Sequence, residues 1–154
     1  MVILTIDQGW MREALRISAS STCASKYSVG CVIVPRHPAV PAVGGFNGVI
    51  SQLPPCDHGT GYPGVRCISD GNGRCMRAIH AEQRALVNAA GRGVNVSEAT
   101  MYVTLAPCFM CSQLIILSGI TRVCYAGVPT STNGLELLML HVEVVKIELP
   151  EEIL

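Results

Sequence analysis

The stretch IHAEQRAL, from Ile79 to Leu86, places a histidine and a glutamate two residues apart in a segment that favours a helix. Side chains at positions i and i+2 of a helix point about 200° away from each other. His80 and Glu82 therefore cannot form a simple pair on one helix face, and surface pairing does not explain why they occur together.

A second stretch, LAPCFMC from Leu105 to Cys111, supplies the explanation. Pro107 is predicted to end a strand, so Cys108 falls at a helix N-terminus and Cys111 lies one turn later on the same face. Both thiolates can then bind one metal ion, and the positive end of the helix lowers their pKa. His80 completes a set of two sulfurs and one nitrogen, which leaves the fourth tetrahedral position of a zinc ion open, as in catalytic sites.

Glu82 is interpreted as a proton carrier beside this open position and not as a metal ligand. Zinc lowers the pKa of a bound water, and an adjacent carboxylate can take its proton and deliver it to a substrate. HAE followed by PCxxC is the known signature of zinc-dependent nucleobase deaminases. The two motifs together, each opening a helix, predict a catalytic zinc site.

Composition favours a soluble globular protein that binds a small ligand. Hydrophobic residues make up 49% and charged residues 14% of the 154 residues, and the formal net charge is zero. Neutrality argues against a nucleic-acid partner, because phosphate neutralisation requires clustered Lys and Arg. No basic targeting region and no membrane-spanning run are found, so we expect the cytoplasm and no membrane partner. In the cytoplasm, we expect the eight cysteines to be metal ligands and reduced core thiols.

Hydrophobic periodicity predicts the order α-β-β-α-β-α-β-α-β within a single domain over residues 1–154. The predicted helices cover 7–20, 76–90, 108–117 and 134–141, and the predicted strands cover 30–35, 41–48, 99–105, 120–127 and 142–149. Such an order favours an α/β sheet with helices on both faces and mostly parallel later strands. Asp7 is predicted to cap the first helix, and 49–75 to be a long functional loop.

The motifs GFNG, CMRAIHAEQRAL, ATMYVTLAPCFMC and SGITRVCYAG occur in the same order as in the deoxycytidylate (dCMP) deaminase family, so that the resemblance covers nearly the whole chain. It implies a three-layer α/β/α cytidine-deaminase-like fold with a central five-stranded mixed sheet. It also implies hydrolytic conversion of dCMP to dUMP and ammonia, a hexamer, activation by dCTP, inhibition by dTTP, and Mg²⁺ with a bound triphosphate effector.

The resemblance assigns roles to residues in the GFNG motif and in the helix after HAE. By similarity, Asn47 binds the deoxyribose 3′-hydroxyl, or it belongs with Phe46 and Arg84 to an effector site. GFNG replaces the more usual GYNG, and Arg84 stands where many relatives have asparagine, so effector control is an open point. The alternatives are that Asn47 is a turn residue and that Arg84 is a solvated helix arginine.

The same resemblance implies a second, structural zinc, because several family members carry one in the cysteine-rich region. Cys23, Cys56 and Cys75 are the expected ligands, with Cys67 or His58 as the fourth. The alternative is a set of reduced loop thiols. Two further cysteines, Cys31 and Cys124, lie in apolar strands and are expected in the core.

Two other functions compete with dCMP deamination. Met110 makes PCFMC similar to the PCxMC of tRNA adenosine deaminases, although zero net charge and the absence of a basic C-terminal helix weigh against an RNA substrate. A non-catalytic zinc-binding module is the second alternative. It leaves Glu82 unexplained, since a purely structural site gains nothing from an unliganded carboxylate.

Overall fold

A computed structural model describes residues 3–22, 27–56, 66–68, 70–71, 75–127 and 131–151. Within these residues the elements are α1 (Ile6–Ser18), β1 (Gly30–Val34), β2 (Val43–Phe46), β3 (Gly48–Val49), β4 (Ala78–Ile79), α2 (Ala81–Gly91), β5 (Thr100–Leu105), α3 (Phe109–Leu117), β6 (Arg122–Gly127), α4 (Asn133–Met139) and β7 (Glu143–Lys146). None of these helices combines the length and the apolar character that crossing a membrane requires.

Five strands form the main sheet, in the order β2-β1-β5-β6-β7. Strand β1 is antiparallel to both of its neighbours, β2 and β5, whereas β5, β6 and β7 run parallel. Parallel neighbours need a crossover connection, and α3 and α4 provide the two that this half of the sheet requires. The predicted mixed five-stranded sheet is confirmed.

The sheet is covered on both faces because its strands alternate buried side chains between two separate clusters. On one face, residues such as Met101 and Val103 pack against α2, α3 and α4; on the other, Tyr102 packs against α1. Cys31 lies in the first cluster and Cys124 in the second, both fully buried, which confirms the prediction that they are core residues. The result is the expected three-layer α/β/α arrangement.

Helix α2 lies closer to β2 than ordinary side chains permit. A Cβ at Gly45 would collide with the Ala81 carbonyl oxygen and the Ala85 backbone nitrogen, so a residue without a side chain is required there. Farther along the helix, the Asn88 side-chain amide donates to the Gly44 carbonyl at 2.9 Å. These contacts fix the position of α2 on the sheet.

Two local predictions were wrong. Thr5, not Asp7, caps α1: its hydroxyl accepts from the Gln8 N–H, and the Gln8 side chain accepts from the Thr5 N–H. The predicted helix over 76–90 begins only at Ala81, because Ala78–Ile79 pairs with Gly48–Val49 in a short antiparallel ribbon. We call this pair of strands the β3–β4 ribbon; its pairing depends on residues far apart in the chain.

Asp7 instead joins α1 to the sheet. Arg122 on β6 donates two hydrogen bonds to its carboxylate, at 2.9 and 2.8 Å, and the Tyr102 hydroxyl donates a third at 2.8 Å. The hydrogen bond from Arg122 and that from Tyr102 lower the pKa of Asp7, against the opposing effect of burial. Charge-assisted, two-pronged contacts of this kind are the stronger class of hydrogen bond.

We expect Asp7→Asn to lower the free energy of unfolding by about 1 to 2 kcal/mol at pH 7. Because the folded-state pKa of Asp7 lies below its ordinary value of 3.8, this stabilisation is present above pH 3.8 and is lost as pH falls through the native pKa. Urea unfolding from pH 7 to pH 2 measures the difference between the two proteins. Glu13→Gln is the control, since the Glu13–Arg16 pair lies on the surface; an equal loss in both variants would contradict the prediction.

Candidate metal centre

His80 stands at the junction between the β3–β4 ribbon and α2. It directly follows Ala78–Ile79 and is the N-cap residue of α2, with extended backbone dihedrals. The Gln83 side-chain oxygen accepts a hydrogen bond from the His80 N–H at 2.9 Å. His80 therefore lies outside the helix proper, and the 200° separation that applies to two helical positions does not apply to His80 and Glu82.

The two cysteines of LAPCFMC lie at the start of α3. Cys108 is the N-cap residue and Cys111 is a buried residue of the first turn. The backbone of Cys108 is held by Ser112, whose N–H and hydroxyl both donate to the Cys108 carbonyl, at 2.9 and 3.0 Å. The Ser112 hydroxyl also lies 3.0 Å from the Gly134 carbonyl, which connects the site to α4.

The structure brings the three predicted ligands together. The Sγ atoms of Cys108 and Cys111 each lie 3.4 Å from His80 Nδ1, and the three candidate ligand atoms lie within 4.8 Å of one another. In a tetrahedral zinc site with Zn–S near 2.3 Å and Zn–N near 2.0 Å, sulfur and nitrogen ligands lie about 3.5 Å apart. The donor types and their spacing therefore fit a zinc ion bound through Nδ1 and two sulfurs.

Electrostatics at the site favour a thiolate on Cys108. The hydrogen bond from Cys111 lowers the pKa of Cys108 to about 3, the contact with His80 acts in the same direction, and burial opposes both. The same Cys108–Cys111 contact raises the pKa of Cys111, as does burial. One sulfur is thus ready as an anionic ligand, and a bound cation displaces the proton from the other.

Glu82 lies beside the three ligands as a buried carboxyl group. Its exposed fraction is 4%, and burial raises its pKa, while its own backbone N–H and nearby His80 lower it. A hydrogen bond with the Cys111 side chain acts in the same lowering direction. A buried carboxyl group with a raised pKa is suited to both accepting and donating a proton.

A second group of three cysteines lies at the other end of the β3–β4 ribbon. The sulfur atoms of Cys56, Cys67 and Cys75 lie within 4.8 Å of one another, with 3.4 Å between those of Cys56 and Cys75. Of the five expected ligands of a second zinc, these are the three that the described residues contain. Cys23 and His58 lie outside the described residues.

Asn47 makes contacts that favour its interpretation as a turn residue. Its side-chain oxygen accepts from the Val29 N–H at 2.8 Å, and its amide nitrogen donates to the Tyr27 carbonyl at 2.7 Å. The Asn47 carbonyl accepts a further bond from the Ser21 hydroxyl at 2.9 Å. The amide thus fixes the backbone that leads into β1.

Arg84 is not a solvated helix residue, because its side chain is occupied by contacts within the fold. Its guanidinium donates to the carbonyls of Phe46, Gly48 and Val49, at 2.9, 3.0 and 3.0 Å. It also lies over the Phe46 ring, 4.4 Å from the centroid. The sequence contains no local pattern that would have found these contacts, since they join residues 35 to 38 positions apart.

The sequence is similar to those of known deoxycytidylate deaminases. Residues 4–127 match the family model for the cytidine and deoxycytidylate deaminase zinc-binding region. A deoxycytidylate deaminase of Saccharomyces cerevisiae is 39% identical over 123 residues, which span 78% of this chain but only 37% of the yeast protein. One from Mycobacterium phage D29 is 35% identical over 124 residues, 77% of this chain and 92% of the phage protein.

Among solved structures, the dCMP deaminase of cyanophage S-TIM5, in complex with dCMP and dUMP, is similar over 96% of this chain and 100% of its own. The TM-score is 0.75 and the sequence identity is 27%. The structural similarity therefore extends over almost the whole fold.

Cys111→Ala is expected to remove one equivalent of bound zinc per chain, because two remaining ligands hold the ion far less tightly than three. Elemental analysis of the purified protein measures the loss. Cys124→Ala is the control: Cys124 is equally buried but lies on the opposite face of the sheet. Equal zinc contents in wild type and Cys111→Ala would contradict the assignment.

Proposed function

Because this chain belongs to the cytidine and deoxycytidylate deaminase family, we propose that it is a zinc-dependent hydrolase that converts dCMP to dUMP and ammonia. The observation that carries the proposal is the convergence of His80, Cys108 and Cys111 around one point, with Glu82 buried beside them. Three ligands and an adjacent proton carrier are what hydrolytic deamination requires.

The choice of dCMP as substrate rests on the relatives. The yeast and phage proteins are both deoxycytidylate deaminases, and the cyanophage enzyme holds dCMP and dUMP. The neutral net charge agrees with a mononucleotide substrate, because a small ligand does not need a large basic surface. Asn47 remains a candidate for contact with the sugar, although its side chain also fixes the turn.

The proposed reaction forms a C–O bond at C4 of the cytosine base and breaks the bond between C4 and the amino nitrogen. His80, Cys108 and Cys111 would hold the zinc ion, which when bound would act as the Lewis acid that activates water. Glu82 accepts the proton from the attacking water and delivers it to N3 of the base. A second transfer moves the remaining proton of the new C4 hydroxyl to the amino group; the C4–N bond then breaks, ammonia leaves, and a carbonyl remains at C4.

The cysteine group at the far end of the ribbon supports a second, structural zinc. Cys56, Cys67 and Cys75 are the proposed ligands in the described residues, and Cys23 or His58 is the proposed fourth. A closed site of this kind would convert metal-binding free energy into folding free energy. The proposal requires two equivalents of zinc per chain in the wild type. We expect Cys67→Ala to remove one of them.

Assembly, control and location are proposed on narrower support. Several large apolar side chains on or next to α3 and α4 are exposed by 64 to 84%, among them Met110, Leu117 and Leu140. Such exposure favours a homo-oligomer. The family resemblance indicates that this oligomer is a hexamer. Control by dCTP and dTTP, with Mg²⁺ accompanying a triphosphate, rests on the resemblance alone. A cytoplasmic location would keep the ligand thiols reduced.

We expect Glu82→Gln to abolish ammonia release from dCMP while zinc content and thermal stability persist, because glutamine has a similar shape but cannot carry the proton. A coupled ammonia assay with dCMP, dCTP, deoxycytidine and a tRNA anticodon stem as substrates measures both activity and specificity. Wild-type turnover restricted to the tRNA stem would overturn the dCMP proposal. Retained turnover by the variant would overturn the role of Glu82.

A further inference from the structure

The position of His80 depends on a ribbon too short to be stable by itself. Only two residue pairs hold β3 and β4 together, Gly48 with Ile79 and Val49 with Ala78. Isolated two-stranded ribbons are marginal in water even when they are longer. The residue that follows this ribbon is the candidate nitrogen ligand, so any displacement of the ribbon displaces one ligand relative to the two sulfurs on α3.

Arg84 connects this ribbon to the helix that follows His80. It lies one turn into α2, and its backbone N–H donates to the His80 carbonyl at 3.0 Å. Its side chain reaches the carbonyls of Gly48 and Val49, which are the two residues of β3. The Arg84 guanidinium therefore connects α2 to β3. Because β3 pairs with β4 and His80 directly follows β4, this contact also restrains His80.

Two features show that the guanidinium suits this place better than another cation. It serves three carbonyls at once, Phe46, Gly48 and Val49, through two of its nitrogens. Its central carbon lies over the Phe46 ring, 4.4 Å from the centroid, an arrangement that favours arginine. Lysine has a single charged nitrogen on a flexible stem, so it cannot reproduce both the fork of donors and the stacking.

We propose that Arg84 is a positioning residue for the metal centre, which holds His80 Nδ1 in place against the sulfurs of Cys108 and Cys111 by clamping the β3–β4 ribbon to α2. Arg84 itself touches neither ligand sulfur nor substrate in this role. The inference rests on the proposed function, because that proposal makes His80 a zinc ligand. The inference goes beyond the proposed function because it assigns zinc retention to a residue that is not a ligand.

The alternative is that Arg84 only stabilises the packing of α2 on the sheet. Asn88 offers a matched comparison. It lies one turn farther along the same helix and also donates from its side chain to a backbone carbonyl of the sheet, that of Gly44 at 2.9 Å. Asn88 supports the helix but makes this bond to β2 and not to the β3–β4 ribbon, so its loss weakens packing without releasing His80.

The test measures the rate of zinc release into excess chelator from wild type, Arg84→Met, Arg84→Lys and Asn88→Ala. Thermal unfolding of each metal-free protein measures the effect of each substitution on packing. The release phase that is missing in Cys111→Ala identifies the zinc bound by His80. Loss of groups that orient a metal ligand lowers metal affinity by about 10-fold to 100-fold. We expect an acceleration of that size in Arg84→Met, a smaller one in Arg84→Lys, and none in Asn88→Ala.

Equal release rates in wild type and Arg84→Met would overturn the inference, as would equal acceleration in Arg84→Met and Asn88→Ala. If Arg84→Met fails to fold, Arg84→Lys decides: release at the wild-type rate overturns the positioning role. A wild-type protein with no zinc that Cys111→Ala removes would instead overturn the proposed function. The two failures are therefore distinguishable.

Discussion

The metal centre depends on the meeting of two helix N-termini. His80 caps α2 and Cys108 caps α3, and this arrangement places Nδ1 at 3.4 Å from each of the two sulfurs. Both helix ends carry partial positive charge from unpaired N–H groups, which favours the thiolate form of Cys108. The sheet beneath them fixes the meeting point, since α2 and α3 pack on the same face.

The chemistry of the site conflicts with the stability of the fold. A carboxyl group that is 4% exposed would be expected to destabilise the folded state, because burial disfavours its charged form. The raised pKa of Glu82 is the expression of that cost. The same burial would suit Glu82 to the proposed proton transfer, which accounts for an unfavourable group at this position.

Much of the fold and of the centre could be predicted from local patterns. Within the described part of the chain, apolar periodicity located the four helices and the five strands of the main sheet, and the spacing of Cys108 and Cys111 identified a ligand pair on one helical turn. The β3–β4 ribbon could not be found in this way, because each strand has two residues and each finds its partner about 30 positions away. The partners of Arg84 were missed for a related reason: they are backbone carbonyls, which carry no sequence signature.

The proposed function requires that one ion is bound by His80, Cys108 and Cys111, with a coordination position left for water. An anomalous difference map at the zinc edge, from a crystal of the wild-type protein, tests it most directly. We expect a peak bonded to His80 Nδ1 and to both sulfurs, with no fourth protein ligand and with the Glu82 carboxyl group adjacent. A fourth side chain bonded to the ion, or no peak among these three residues, would contradict it.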